Sequence, residues 1–305
     1  MALFKDVSSD SINDKIIIIT GANRGIGFEL ARRLSRNGAT VIIGCRNEIR
    51  GQEAQDKIGG NCKYINIDLT RFQSIKNFCK VVESNYPRVD VLVNNAGVMC
   101  PPFTRTYEGL ELTFGVNVIG YFLLTNYLIP LMKNVKASRV VNISSIANYR
   151  VKKIEWEKIN SQSEYKRMES YSLSNLFRIM FTIELEERLR QNRYETTAVS
   201  CHPGVVLTDL FRFLPQIARN SILSKLINKL FLHETDKAIL PIMEAITSPK
   251  IIGGDFIGFD SKHQFKGIPK IVDANPLAYE PQLRDRLWEL SAQITGLDRR
   301  YPENH

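Results

Sequence analysis

Patterns for crosslinking and for metal binding are scarce in this sequence. Its five cysteines (Cys45, Cys62, Cys79, Cys100, Cys201) are odd in number, widely spread and never spaced Cys-x-x-Cys. That argues against a disulfide framework or a dithiol motif and suits a reducing, intracellular setting. The four histidines (His202, His233, His263, His305) lie far apart, so no metal site is expected. No run approaches about 18 consecutive apolar residues, so no membrane-spanning helix is expected. The start, Met1-Ala-Leu-Phe-Lys-Asp, lacks the apolar core of a signal peptide. The expected location is cytoplasmic or peripheral to a membrane. Internal repeats, low-complexity tracts and linkers are also missing.

What is present is ordinary globular composition. The 305 residues are 44% hydrophobic and 24% charged, enough to bury a core without staples. The net charge of +9 raises the question of an anionic partner. The basic residues are scattered and aromatics do not interleave with them, so nucleic acid is not the expected partner.

One stretch organises the rest. Residues 15–27 read Lys-Ile-Ile-Ile-Ile-Thr-Gly-Ala-Asn-Arg-Gly-Ile-Gly. Ile16 to Ile19 suit a strand buried on both faces. Ile26, Leu30, Ala31 and Leu34 then recur at helical spacing. Strand, glycine turn and helix make a place where backbone N–H groups can face a phosphate. An ordinary strand-to-helix turn is the alternative, and the neighbours decide between them. Further strands are expected at 40–44, 63–67, 89–93, 139–143, 195–201 and 255–259. Helical patterns lie between them, including a long one from about 109 to 133. This alternation predicts an α/β fold: a single Rossmann-type, doubly wound parallel sheet with helices on both faces. One domain over 1–305 is expected, with mobile ends at 1–13 and 298–305. The second strand runs out into Cys45-Arg46. In dinucleotide folds an acid at this point favours a free ribose 2′-hydroxyl, whereas Arg accommodates a 2′-phosphate. Arg46, with Arg24 in the glycine turn, therefore predicts NADP(H) over NAD(H).

The order Thr20-Gly-Ala-Asn-Arg-Gly-Ile-Gly27, Asp68, Asn94-Asn-Ala-Gly97 resembles the short-chain dehydrogenase/reductase family. The resemblance implies that Gly21, Arg24 and Ile26 border the cofactor phosphates, in a turn with Asn23, Gly25 and Gly27. It implies that Asp68, beside Leu69, contacts adenine, and that Asn94, Ala96 and Gly97 lie along the ribose. It further implies a relay water at Asn117, a catalytic hydroxyl at Ser145 and the proton-transferring phenol at Tyr171. Pro203, Gly204 and Val205 would pack beside the nicotinamide, with Thr208 on its carboxamide or on phosphate. The excursion at 146–168 and the segment Leu287–Gly296 resemble the retinol dehydrogenase-like branch. His202 is read as structural, since its position matches no catalytic role.

One position departs from the family pattern. The signature Tyr-x-x-x-Lys reads Tyr171-Ser-Leu-Ser-Asn175 here. A cation near a phenol favours the phenolate, and each unit of lowering is worth about 1.4 kcal/mol. Asn175 offers a neutral contact to a ribose hydroxyl and no charge. Arg178, nearly two turns beyond Tyr171, is expected to lie too far away to substitute. Two functions follow. One is a slowed oxidoreductase acting on a lipophilic carbonyl or alcohol (retinoid-, steroid- or isoprenoid-like), with reduction favoured because a protonated Tyr171 still serves as an acid. The other is an impaired enzyme kept as a nucleotide-binding sensor or partner-binding protein. On this reading Asn175→Lys should speed oxidation.

In the second half, Ile222, Leu223, Leu226, Ile227, Leu230 and Phe231 form one helical stripe opposite Ser224, Lys225, Asn228 and Lys229. Packing on the protein's own core is one explanation. A substrate lid that also touches a membrane through 210–232 is the other. The resemblance adds a homodimer as the expected assembly.

Overall fold

The computed structural model describes residues 12–204, 235–298 and 300. The stripe at 221–233, the rest of 210–232, Val205 and Thr208 all lie outside them. The isoleucine run forms β1 (Ile16–Thr20). Successive side chains of a strand point to opposite faces. Accordingly Ile17 and Ile19 pack with Leu30, Leu34 and Val41 on one side. Ile18 packs with Ile42, Phe78 and Leu92 on the other. A strand covered on both faces belongs in the middle of a sheet, and β1 sits there.

The chain then lays down β2 (Thr40–Cys45), β3 (Cys62–Asn66), β4 (Val91–Asn94), β5 (Arg139–Ile143), β6 (Thr197–Cys201), β7 (Phe256–Phe259) and β8 (Pro269–Ile271). They form one eight-stranded sheet in the order β3-β2-β1-β4-β5-β6-β7-β8. The order grows outward from β1 to β3 and then returns to β4, so the direction of winding reverses between β1 and β4. Ligands of open α/β sheets bind outside the strand ends at such a reversal. β1 to β7 are parallel, as expected. β8 is not, and pairs antiparallel with β7. It is a three-residue edge strand beginning with Pro269, and proline is tolerated only at such an edge.

On one face lie α1 (Gly25–Arg36), α2 (Glu48–Ile58), α7 (Thr235–Ala238) and α8 (Leu240–Thr247). On the other lie α3 (Phe72–Asn85), α5 (Gly120–Leu128) and α6 (Arg167–Gln191), with α9 (Pro281–Thr295) packed on α6. α5 is part of a helical run, Leu112–Leu131, that begins with α4 (Leu112–Phe114) and passes through a π turn at Gly115–Ile119. This run is the one helix among the described residues long and apolar enough, by length and composition alone, to cross a membrane. Its mean hydropathy is 1.5, yet 89% of it is buried inside the fold. Its hydrophobicity is core. Of the end at 1–13 only Ile12 and Asn13 are described, and Ile12 is fully buried in the core beside Leu34 and Ala39.

Candidate active site

The ends of β1 and β2 are in register, Thr20 opposite Gly44, which sets the two segments that follow them side by side. The glycine turn between β1 and α1 bends through left-handed backbone, with φ of +70° at Gly21 and +59° at Gly25. A Cβ on Gly21 would stand 2.8 Å from the Cα of Ala96, so the two loops meet backbone to backbone. A Cβ on Gly25 would meet nothing within 4 Å, so this position faces open space. Asn95 holds the turn in place: its Nδ2 donates to the carbonyl of Thr20 at 2.7 Å.

α1 starts without a side-chain cap and with no acid in its first turn. α2 shows the contrast, since Asn47 caps it by accepting from the Arg50 N–H at 2.9 Å. An uncapped helix start leaves backbone N–H groups without intrahelical partners. Here they face a cleft of about 830 Å³. Open space, free N–H groups and positive dipole fit a dinucleotide pyrophosphate.

Most of the expected residues border this one cleft. Gly21, Asn23, Arg24, Gly25, Ile26 and Gly27 form its floor at the helix start. Arg46, exposed after β2, and Asp68 and Leu69, after β3, form one end. Asp68 is braced, its carboxylate accepting from the Thr70 N–H at 3.0 Å and the Thr70 hydroxyl at 2.8 Å. Ala96, Gly97, Asn117, Tyr171 and Pro203 form the other end. Asn117 lies in the π turn. Its Oδ1 accepts from the Val98 N–H at 2.9 Å, and its Nδ2 donates to the Val98 carbonyl at 3.0 Å and to Ser174 Oγ at 3.1 Å.

Four expected residues are placed elsewhere. Asn94 is fully buried and ties the sheet to α5, donating to Asn142 Oδ1 at 2.7 Å and Thr125 Oγ1 at 2.9 Å. Gly204 is not among the cleft-lining residues; its N–H donates to Nδ1 of His202 at 3.1 Å. Asn175 is 1% exposed, and its Nδ2 donates to the Tyr171 carbonyl at 2.8 Å, one turn back on its own helix. Its Oδ1 is buried with no hydrogen-bond partner. Ser145 starts a turn after β5, where its Oγ accepts from the Ala147 N–H at 3.2 Å. The preceding Ser144 borders the cleft, but its hydroxyl is spent on the Asn175 carbonyl at 2.8 Å.

His202 is structural as read. It is fully buried; Nδ1 accepts from Gly204, which leaves Nε2–H to donate to Gln264 Oε1 at 2.8 Å. Burial pushes its pKa down to about 4. The five cysteines are buried and free, and among the described residues no group of side chains could hold a metal ion. A second cavity of about 490 Å³, beside the first turns of α6, holds none of the expected site residues.

Arg178, expected to lie too far from Tyr171 to substitute for a lysine, is brought by the fold to the same cleft. Arg178 interacts electrostatically with Tyr171. Its side chain is 6% exposed. Nε donates to the carbonyl of Asn117 at 2.8 Å and Nη2 to that of Ala96 at 2.9 Å. Nη1 donates to the carbonyl of Ile143. The guanidinium lies 4.9 Å from the ring centroid of Tyr121, whose hydroxyl also donates to Ala96 O. Sequence reasoning missed this residue because it compared positions along the helix. The usable signal was the face: seven residues make about two turns, and helix side chains lean toward the N-terminus.

Residues 15–217 match the short chain dehydrogenase family. Mouse retinol dehydrogenase 12 is 40% identical, with 94% of this chain aligned to 88% of that protein. Human retinol dehydrogenase 13 is 33% identical over 95% of this chain and 87% of its own length. A crystal structure of an uncharacterised protein from Mycobacterium paratuberculosis superposes with a TM-score of 0.79 at 30% identity, covering 94% of this chain and 96% of that one. The chain therefore belongs to the short-chain dehydrogenase/reductase family of nicotinamide-dependent oxidoreductases, in its retinol dehydrogenase-like branch.

Proposed function

We propose that this protein reduces a lipophilic, retinoid-like aldehyde or ketone with NADPH. The observation that carries the proposal is the convergence of an uncapped helix start, two arginines and Tyr171 on one cleft. Arg24 and Arg46 favour NADPH, since a 2′-phosphate at the β2 end would meet positive charge where an acid would repel it. The names of the related retinol dehydrogenases support a retinoid-like substrate. Peripheral membrane contact through 210–232 would suit delivery of such a substrate and belongs to this reading, as does pairing into a homodimer.

The nicotinamide supplies a hydride. The chain supplies the remainder. The glycine turn would hold the pyrophosphate, and Asp68 and Leu69 would border the adenine. Ala96 and Gly97 would line the ribose, and Pro203 would back the nicotinamide. Tyr171 hydrogen-bonds the carbonyl oxygen and gives it a proton as it becomes an alkoxide. Ser145, outside the cleft lining but next to Ser144, which borders it, would have to turn its hydroxyl inward to orient the same oxygen. Its Oγ accepts from Ala147, so its own hydrogen is left to donate, whereas that of Ser144 is engaged. Asn117 fixes the loop at Val98 that borders the reacting end.

The test is titration with NADPH and NADH by fluorescence, followed by loss of NADPH absorbance with a panel of lipophilic aldehydes and ketones. Tighter binding of NADPH and substrate-dependent turnover are expected. Tight binding with no turnover across the panel would transfer the function to a nucleotide sensor.

A further inference from the structure

Arg178 is a buried cation of unusual setting. Its three hydrogen bonds run to neutral backbone carbonyls, and among the described residues no carboxylate forms an ion pair with it. Taking an unpaired charge out of water is expensive unless something in the site answers it. Three carbonyls and the face of Tyr121 compensate in part. Burial lowers the pKa of Arg178, and Tyr121 and Tyr171 are the groups that raise it. Among the described residues Asp68 is the one acid bordering the cleft, and it stands after β3 at the opposite end from Tyr171. Arg24 and Arg46 accompany the glycine turn and β2, and Cys45 is neutral with its pKa raised by burial.

Helix geometry explains how Arg178 reaches the place. Tyr171 and Arg178 are seven residues apart, about 20° short of two full turns, so they share one face of α6. The Cα atoms are about 10 Å apart along the axis, but a long side chain on a helix leans back toward the N-terminus. The guanidinium thus enters level with the turn that carries Asn175. It binds the carbonyl of Asn117, which the π turn presents toward α6. Asn175, by contrast, turns its amide back on its own helix.

We infer that Arg178 supplies Tyr171 with the positive charge that a lysine at 175 would otherwise provide, so that the charge has moved one turn along α6 rather than been lost. The inference rests on Tyr171 as the proton donor and deepens that reading. Arg178 is here a positioning residue acting through Tyr171. With it in place, Tyr171 serves as acid and, in the reverse direction, as base. The bias toward reduction expected from a neutral residue 175 then belongs to an Arg178→Gln variant and not to the native protein. Asn175→Lys alone places two cations together and gains nothing.

The purely structural alternative is that Arg178 only ties together the segments at Ala96, Asn117 and Ile143. The decisive experiment follows the ring carbon bearing the Tyr171 hydroxyl by NMR in ring-labelled protein, across pH, without nucleotide or substrate. Tyr171→Phe assigns the signal. The native midpoint is expected below the ordinary tyrosine value of about 10. Arg178→Gln should raise it by a unit or more, and Arg178→Gln with Asn175→Lys should return it. At pH 7, alcohol oxidation by Arg178→Gln should fall about tenfold further than carbonyl reduction, and the added lysine should restore it. A native midpoint at or above 10, or no change in Arg178→Gln, overturns the inference. So does a loss of oxidation that the lysine does not repair, which is the mark of the structural tie. If Arg178→Gln does not fold, the native midpoint decides, together with Arg178→Lys, which must keep it low. A low midpoint in a protein with no turnover would sink the proposed reaction and leave the inference standing.

Discussion

The glycine turn and the Tyr171 face of α6 border one cleft by different means. The turn is built from backbone: left-handed φ at Gly21 and Gly25, a close approach to Ala96, and N–H groups left uncapped. Each of those features demands a residue type at one position, because no side chain elsewhere can supply it. The α6 face is built from side chains, and a charge on a long stem can reach the same point from more than one position. Backbone sites are therefore rigid in sequence, while side-chain sites can be rearranged.

Variants of each kind would break or sharpen this contrast. Tyr171→Phe carries the largest expected effect, a fall of about a thousandfold in turnover with NADPH affinity retained. A loss of affinity as well would mean that the phenol holds the nucleotide and that the two regions are not separable. Gly21→Val should weaken binding of either nucleotide about a hundredfold by titration, because a branched side chain meets both strain and the Ala96 backbone. Tolerance of that change would remove the claim that backbone sites cannot move. Arg46→Ser should shift the NADPH-to-NADH affinity ratio about tenfold toward NADH, as expected for an exposed charge facing a phosphate. An unchanged ratio would mean that Arg46 is merely solvated.

His202 should matter least to turnover at neutral pH, where it is already uncharged. Its effect is on acid stability. The folded pKa of about 4 lies below the ordinary value of 6.5, so between those values the unfolded chain binds a proton that the folded one refuses. Stability is thus full above 6.5, falls as pH drops toward 4 and levels off below. Urea midpoints should show about 2 kcal/mol of that loss between pH 7 and 5, and His202→Asn should remove it.

The same contrast explains what was legible in the sequence. The glycine turn and Arg46 could be placed on one cleft from the strand and turn pattern, and Asp68, Asn117 and Tyr171 from the family resemblance. Arg178 could not, because its role depends on the direction of a flexible side chain and on a π turn that presents Asn117 to it. The different engagements of Ser144 and Ser145 depend on which hydroxyl the Asn175 carbonyl captures, a contact 31 residues away in sequence. Asn94 reads as a ligand in its motif, yet it is fully buried and its amide nitrogen is consumed by Asn142 and Thr125 in the sheet interior. β8 has too few residues for any alternation to show.

The Leu112–Leu131 helix has a consequence for how this protein fails. It is as oily as a membrane span and is kept from water only by the elements around it. Once heat opens the fold, that segment is exposed to other open chains and is expected to meet them faster than it finds its own core again. Thermal inactivation should then be a matter of time at temperature, with an apparent melting point that rises with scan rate and a precipitate in place of refolded protein.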